Sequence, residues 1–227
     1  MIYAVIAAGG IGSRMGAVKP KQYIEIGSKS IIAHTADKFI RCERIDKVIV
    51  LCPDEWVDYT KGIFAETNVT VISGGDTRNE TLMKAIDYIE ETDGLNEETY
   101  LVTHDAVRPF VTEKIINDNI DAMLKYEATG TVIPAVDTIF ESEKGTVIDG
   151  IPDRSRLYQA QTPQCFGALK FRELYKSLSS EEKDILTDGC KIYLLKGYPV
   201  HLVEGHAGNI KITYPHDLIV AEAILKA

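Results

Sequence analysis

Short apolar runs alternate along this chain with segments whose apolar residues recur at helical spacing, and this alternation constrains the fold more than any other feature. Leu82, Ala85, Ile86 and Ile89, for example, share one face of a predicted helix. The apolar runs are Ile2–Ala8, Lys47–Leu51, Val69–Ile72, Tyr100–Thr103, Thr131–Val136 and Val200–Val203. Such alternation is typical of a mostly parallel sheet with helices on both faces. We therefore predict an α/β fold with a doubly wound sheet.

Residues 137–151 interrupt the alternation. Residues 138–142 and 146–150 are predicted to form two short strands around a turn at 143–145. We interpret this hairpin as an arm, at about residues 137–157, that projects from a single domain spanning residues 1–227 and contacts a second subunit. Thr112 and Asn79 are predicted helix N-caps, and Pro215 is predicted in the first turn of a closing helix that reaches Ala227.

Composition limits the classes of partner. The 227 residues carry a formal net charge of −9, so unfocused binding to nucleic acid or to an anionic membrane is not expected. Binding of phosphates would need local cations, oriented backbone amides and a divalent metal. The first apolar run is too short for a signal peptide or a membrane span. The dispersed cysteines, which lack a C-x-x-C pair, indicate reduced thiols in a cytoplasmic protein; they are Cys42, Cys52, Cys165 and Cys190.

A glycine-rich segment follows the first apolar run. It reads Ala8-Gly9-Gly10-Ile11-Gly12-Ser13-Arg14-Met15-Gly16, with Lys21 shortly after it. Glycines beyond the carboxyl end of a strand let backbone N–H groups converge on an anion. A Walker loop would need Gly-Lys-Ser/Thr, and a dinucleotide fingerprint would need glycine where Met15 stands. The loop is therefore predicted to bind nucleotide phosphates, with an ordinary strand-to-helix turn as the alternative.

Two further motifs follow predicted strands. Residues 73–81, Ser-Gly-Gly-Asp-Thr-Arg-Asn-Glu-Thr, would either frame a base and ribose or form a tight turn before a helix. In the segment that begins at His104, Asp105 is suited to Mg²⁺ and Arg108 to a phosphate, although the two could instead pair and hold the loop. We interpret His104 as structural. Lys211 lies between two isoleucines in a strand-like run and needs a reason to point inward.

In this order, the motifs resemble those of the CTP-dependent cytidylyltransferases that make CDP-ribitol or CDP-methylerythritol. The resemblance covers essentially the whole chain. The matching segments are residues 8–15, Pro20-Lys21-Gln22, Gly74-Gly75-Asp76-Thr77-Arg78, residues 104–109, Asp137-Thr138, Asp153-Arg154, Gln161-Thr162-Pro163-Gln164, Thr187-Asp188 and Asn209-Ile210-Lys211.

The resemblance implies a homodimer of Rossmann-like domains that exchange a β-arm, with Mg²⁺ as cofactor. It implies that Arg14, Lys21 and Lys211 are catalytic. Residues implied to bind CTP are Ala8, Gly9, Gly10, Gly12, Gly75, Asp76, Thr81 and Ala106. Residues implied to bind the phosphorylated sugar alcohol are Asp105, which would also hold the metal, Arg108, Thr138, Arg154, Thr162 and Thr187.

The acceptor is predicted to be D-ribitol 5-phosphate, with 2-C-methyl-D-erythritol 4-phosphate as the alternative. Val107, Phe110 and the segment 187–192 resemble the ribitol branch, which would supply a teichoic acid or capsule precursor. Methylerythritol enzymes often carry an acid where Gly208 stands. Two functions of other classes stay open: a nicotinamide-dependent oxidoreductase, and a nucleotide sensor that binds CTP without releasing pyrophosphate.

Overall fold

The structure, a computed structural model, describes residues 1–10 and 19–226. Its strands are β1 (Ile2–Ala7), β2 (Glu25–Ile26), β3 (Lys29–Ser30), β4 (Lys47–Cys52), β5 (Thr70–Ser73), β6 (Tyr100–Asp105), β7 (Ala128–Pro134), β8 (Tyr158–Gly167) and β9 (His201–Glu204). Its helices are α1 (Ile31–Ile40), α2 (Val57–Ile63), α3 (Arg78–Asp93), α4 (Glu113–Tyr126), α5 (Ala168–Lys176), α6 (Ser180–Asp184), α7 (Gly189–Leu195) and α8 (Pro215–Lys226). Short 3₁₀ turns cover Lys21–Tyr23, Asp54–Trp56 and Arg154–Arg156.

Seven strands form one sheet in the order β5-β4-β1-β6-β8-β7-β9. Strand β8 pairs antiparallel with both β6 and β7, whereas the other pairings are parallel. The predicted mostly parallel, doubly wound α/β sheet is therefore confirmed. Strand β8 was not predicted, because its sequence, Tyr-Gln-Ala-Gln-Thr-Pro-Gln-Cys-Phe-Gly, lacks a continuous apolar run.

The core lies on both faces of the sheet. In β1, Ala4 and Ile6 pack on one face, and Tyr3 and Val5 on the other, as the two-residue period of a strand requires. Apolar residues of α1 and α4 cover the first face, and those of α3, α5 and α7 cover the second. Burial on both faces explains why the central strands appear as apolar runs.

Side-chain caps fix the helix starts that face the carboxyl ends of the strands. Thr112 caps α4 by accepting the Ile115 N–H, as predicted. The prediction for Asn79 was wrong, because Thr77 caps α3 in a capping box with Glu80 and Asn79 is buried within the helix. Pro215 opens α8, as predicted.

Residues 135–157 connect β7 to β8 and include the predicted arm. The two predicted strands were wrong: among the described residues, the pairing within this segment is a single bridge between Glu141 and Gly150. The apolar side chains of the segment lie in solvent, with Val136 74% and Val147 67% exposed. A β-ladder needs successive backbone hydrogen bonds along both strands, and the described residues of this segment form such a bridge at one position.

Two further predictions concern the whole chain. Cys42, Cys52 and Cys165 are buried free thiols, and Cys190 is a half-buried one. Burial raises the pKa of the Cys165 thiol to about 12, so this thiol stays protonated and unreactive.

In the part of the chain that the structure describes, no helix has both the length and the apolar character needed to cross a bilayer.

Candidate active site

The site lies where the strand order reverses. Strand β1 lies between β4 and β6. The connections that follow β1 and β6 therefore leave the sheet in opposite directions, and a crevice forms between them at the carboxyl ends of the strands. A cavity of about 320 Å³ occupies this crevice. It is lined by Ala7, Ala8, Gly9, Gly10, Lys21, Gln22, Gly75, Asp76, Thr77, Arg78, Thr81, Asp105, Ala106, Val107 and Lys211. A larger groove between α1 and α8 contains none of the predicted site residues.

The start of the loop after β1 is held by two hydrogen bonds of Ala8. The Ala8 N–H donates to the Leu51 carbonyl at 2.7 Å, and Gln22 Nε2 donates to the Ala8 carbonyl at 2.7 Å. Lys21 is only 8% exposed and lines the cavity from the 3₁₀ turn that it begins. Gly12 and Arg14 lie outside the described residues.

The loop after β5 approaches α3 so closely that a side chain is excluded at Gly75. A Cβ atom there would lie 2.5 Å from Glu80 Cβ. Thr81 holds the loop in place, because its Oγ1 accepts the Gly75 N–H at 3.0 Å and donates to the Thr77 carbonyl at 2.9 Å. Thr81 was predicted to frame cytidine; it lines the cavity, and its hydroxyl also shapes the loop.

Asp105, at the end of β6, is contacted by three cationic side chains. Its Oδ1 lies 3.4 Å from Arg78 Nε, and its Oδ2 lies 3.0 Å from Lys211 Nζ and 3.5 Å from Arg108 Nε. Burial alone would raise the pKa of this carboxyl. The charges of Arg78, Lys211 and Arg108 outweigh burial and hold the pKa well below its ordinary value. The site therefore carries a surplus of positive charge.

Neighbouring backbone contacts direct Lys211 into the cavity. Asn209 Nδ2 donates to the Thr162 carbonyl at 2.9 Å, and the Ile212 N–H donates to the Val107 carbonyl at 2.9 Å. Asn209 and Ile212 are buried, whereas the Lys211 side chain is 44% exposed. The segment is a loop, not the predicted strand-like run. The ion pair with Asp105 is the reason why Lys211 points inward.

His104 is structural, as interpreted from the sequence. It is fully buried, and its Nε2 lies 3.1 Å from the Arg108 carbonyl, which can only accept. The proton must therefore sit on Nε2, and Nδ1 accepts from the Thr162 hydroxyl at 2.9 Å. Burial lowers the pKa of His104 from 6.5 to about 4, so the ring is neutral at physiological pH.

Two predicted phosphate ligands lie behind the cavity wall. Arg108 is buried, and besides Asp105 it contacts the Asn209 carbonyl at 2.8 Å and the Ala160 carbonyl at 3.4 Å. These are the contacts of the alternative interpretation, in which Arg108 holds the loop. Thr162 is also buried, and its Oγ1 accepts the Asp105 N–H at 3.2 Å. Roles in phosphate binding for both residues stay predictions.

The structure does not bring three other predicted residues to the cavity. Thr138, Arg154 and Thr187 are exposed and do not line it. Arg154 Nη1 instead donates to the Val136 carbonyl at 2.7 Å, within the connection that contains the arm. Arg78 and Gln22 line the cavity but were not predicted as site residues, although both stand inside motifs that the sequence displays.

The donor set around Asp105 suits a metal that arrives with the nucleotide. Among the described residues, no group of three or more His, Cys, Asp or Glu side chains is placed to hold an ion by itself. Magnesium is usually held by one or two carboxylates together with substrate phosphates. Asp105 would supply such a carboxylate, and the phosphates of the nucleotide would supply further oxygen ligands.

The chain matches known proteins over its whole length. Residues 2–227 match the family described as 2-C-methyl-D-erythritol 4-phosphate cytidylyltransferase. The structure is similar to the 4-diphosphocytidyl-2C-methyl-D-erythritol synthase of Anaerococcus prevotii, with 27% identity, a TM-score of 0.82 and coverage of 100% of this chain and 96% of the other.

Two further solved structures give the same result. The 2-C-methyl-D-erythritol 4-phosphate cytidylyltransferase of Thermus thermophilus is 27% identical, with a TM-score of 0.79 and full coverage of both chains. That of Francisella tularensis is 26% identical, with a TM-score of 0.83 and 98% coverage of each chain. The chain is therefore a CTP-dependent nucleotidyltransferase and belongs to the 2-C-methyl-D-erythritol 4-phosphate cytidylyltransferase family.

Proposed function

We propose that this chain transfers CMP from CTP to 2-C-methyl-D-erythritol 4-phosphate. The observation that carries the choice of acceptor is the match of residues 2–227 to the family of that name, together with solved relatives whose names contain the same compound. None of these names contains ribitol or teichoic acid, so the comparisons favour the alternative acceptor over the one that the sequence motifs predicted.

Ribitol 5-phosphate remains a second candidate because of the residues at two positions, Val107 and Gly208. Val107 lines the cavity directly after Asp105 and Ala106. Gly208 precedes the Asn209-Ile210-Lys211 segment at the position where methylerythritol enzymes often carry an acid. Both acceptors are phosphorylated sugar alcohols, so the chemistry below is the same for either.

The proposed reaction is an in-line displacement at the α-phosphorus of CTP. An oxygen of the acceptor's phosphate forms the new bond to that phosphorus, the bond to the bridging oxygen breaks, and pyrophosphate leaves with its electron pair. The attacking oxygen is already ionised near neutral pH, so no general base is needed. This requirement agrees with the neutral, buried state of His104.

The main work of the site is to reduce the repulsion between two anions and to align them. Lys21 and Lys211 line the cavity, and Arg14 is proposed to join them. Magnesium bound with CTP would neutralise further charge on the phosphates. Asp105 would hold that ion and, in its absence, keeps Lys211 directed into the cavity.

A pyrophosphate-release assay tests the proposal. Purified protein is given CTP and Mg²⁺ with methylerythritol 4-phosphate, with ribitol 5-phosphate, or without acceptor, and the product is identified by mass spectrometry. We expect pyrophosphate and the CDP-alcohol of one acceptor, methylerythritol 4-phosphate. Turnover of ribitol 5-phosphate alone would select the second candidate, and CTP binding without turnover of either acceptor would select a sensor.

We also propose that the connection 135–157, which contains the predicted arm at about 137–157, is the contact surface of a homodimer. It carries exposed apolar side chains at Val136, Phe140, Val147, Ile148 and Ile151. The exposure of five large apolar side chains within one short segment indicates a protein contact. A second copy of the chain is the partner that the resemblance implies, and Arg154 would then approach the neighbouring site from this segment.

A further inference from the structure

Arg78 has donor groups that the described protein does not use. It is the first residue of α3 and lines the cavity. Its Nε contacts Asp105 Oδ1 at 3.4 Å, and its Nη1 donates to Gln164 Oε1 at 2.9 Å. Its Nη2 is buried and has no hydrogen-bond partner among the described residues. Buried charged donors without partners are rare and destabilising, so this group needs an explanation.

The contacts of Arg78 continue through Gln164 to the start of α7. Gln164 Oε1 accepts from Arg78, so the amide of Gln164 faces away from it, and its Nε2 donates to Asp188 Oδ2 at 2.8 Å. Asp188 caps α7, because its Oδ1 accepts the Lys191 N–H at 3.1 Å. The chain of contacts therefore fixes Arg78 relative to Asp105 on one side and to the start of α7 on the other.

The other two cations at Asp105, Arg108 and Lys211, differ from Arg78 in the donor groups that they present to the cavity. Arg108 is committed to the Asn209 and Ala160 carbonyls and lies behind the cavity wall. Lys211 presents a single ammonium group, which already contacts Asp105. Of the two guanidinium groups, Arg78 is the one that lines the cavity, and a guanidinium matches a phosphate better than an ammonium group does.

Arg78 also lies between the two proposed substrate positions. Gly75 and Asp76, implied to frame cytidine, immediately precede α3. Asp105, implied to hold the acceptor phosphate, lies in the cavity and contacts Arg78. The guanidinium of Arg78 therefore lies next to residues implied for each of the two substrates.

We propose that Arg78 binds the phosphate of the acceptor through Nη2, while Gln164 and Asp188 position its guanidinium. The inference rests on the proposed function and names a residue that recognises its acceptor. Because Nη2 is closed off from solvent, we expect the guanidinium to turn toward the cavity when the acceptor binds, with Nε remaining beside Asp105.

Steady-state kinetics of Arg78→Lys, Arg78→Gln and Gln164→Met test the proposal, with whichever acceptor the wild type uses. We expect the KM for the acceptor to rise about 10-fold in Arg78→Lys and about 100-fold in Arg78→Gln, as expected for loss of a charged hydrogen bond. The rise in Gln164→Met should be smaller, because the charge remains but loses its orientation. The Kd of CTP alone, measured by calorimetry, should stay within about 3-fold of wild type.

Arg172→Gln is the matched control, because Arg172 pairs with Glu90 on the far part of α3 and does not line the cavity. It should leave both constants unchanged. Arg78→Lys keeps a charge beside Asp105, so it provides a folded variant if Arg78→Gln is too unstable to assay. An unchanged acceptor KM in both Arg78 variants, or an equal loss of CTP affinity, would overturn the proposal.

The two proposals fail in different ways. A wild type that releases no pyrophosphate with any acceptor refutes the proposed function and this inference with it. An active wild type whose Arg78 variants bind acceptor normally refutes only the role of Arg78.

Discussion

Asp105 faces three cationic side chains, and neighbouring groups hold each of them in place. Arg108 is fixed by backbone carbonyls, Arg78 by Gln164, and Lys211 by the buried residues on either side of it. These three cations and Lys21 outnumber the two carboxylates that line the pocket, Asp76 and Asp105, so the pocket retains positive charge in a protein whose formal net charge is −9. Lys211 is therefore directed into the cavity before the substrates arrive.

Replacing Lys211 with methionine should remove catalysis and spare the fold. We expect Lys211→Met to lower kcat by about 100- to 1,000-fold, by analogy with the loss of one transition-state donor. The side chain is 44% exposed, and Asp105 keeps two other cations, so the free energy of unfolding should change little. Pyrophosphate release and urea denaturation measure the two effects. Lys114→Met, which removes an exposed helix pair with Asp118, is the control and should keep full activity.

His104 should make stability depend on pH. Its pKa is about 4 when folded and 6.5 in an unfolded chain, so the unfolded state binds more protons between these values. The contribution of His104 to stability is therefore full above pH 6.5 and falls as the pH drops toward 4. Between pH 7.5 and pH 5 the loss should be about 2 kcal/mol.

Urea denaturation of the wild type and of His104→Gln at both pH values checks this prediction. The variant should be less stable at pH 7.5, because it loses the Thr162 contact, and its stability should fall less between the two pH values. Equal falls in both proteins would mean that other groups cause the dependence.

At the scale of elements, the loop after β5 depends on close contact with α3. We expect Gly75→Ala to raise the KM for CTP at least about 10-fold, because the added Cβ would overlap Glu80 and displace the loop. Gly62→Ala is the matched control: it lies within α2, where a Cβ meets no atom within 4 Å, and alanine favours a helix. An unchanged KM in Gly75→Ala would show that the loop does not contact the nucleotide.

The predictable parts of the structure are those with a local signal. Strands β1, β4 and β6 were predictable because burial on both faces gives continuous apolar runs, and Thr112 was predictable because capping is a local interaction. Asn79 and Thr77 compete for the cap within one turn, and the choice depends on Glu80.

Other parts depend on contacts that no local pattern encodes. Strand β8 is polar in sequence and is defined by its neighbours β6 and β7. The Arg78–Gln164 contact joins residues 86 positions apart. The arm has strand-like alternation, but the described residues supply a single bridge, so the local signal predicted strands that do not form.

At the scale of the whole molecule, the exposed arm predicts a homodimer. Phe140 and Ile148 are 56% and 54% exposed, so replacing both with aspartate should place charges in the proposed interface and dissociate it. Light scattering should give twice the chain mass for the wild type and the chain mass for the double variant. Leu194→Asp, at a position on α7 that is 63% exposed, is the control and should leave the mass unchanged. A monomeric wild type would contradict the proposal.

Strand β8 begins at exposed Tyr158, beside the arm, and ends in the core near Phe166, with Thr162 and Gln164 between them. A one-residue insertion anywhere from Tyr158 to Thr162 would exchange the inward-facing and outward-facing side chains of β8. The Thr162 hydroxyl would turn away from Asp105, or the Gln164 amide from Arg78, or both. Insertions at the tip of the arm, near Gly145, would leave this register intact. Relatives of this chain should therefore differ in arm length at the tip and keep a constant spacing from the base of the arm to the site.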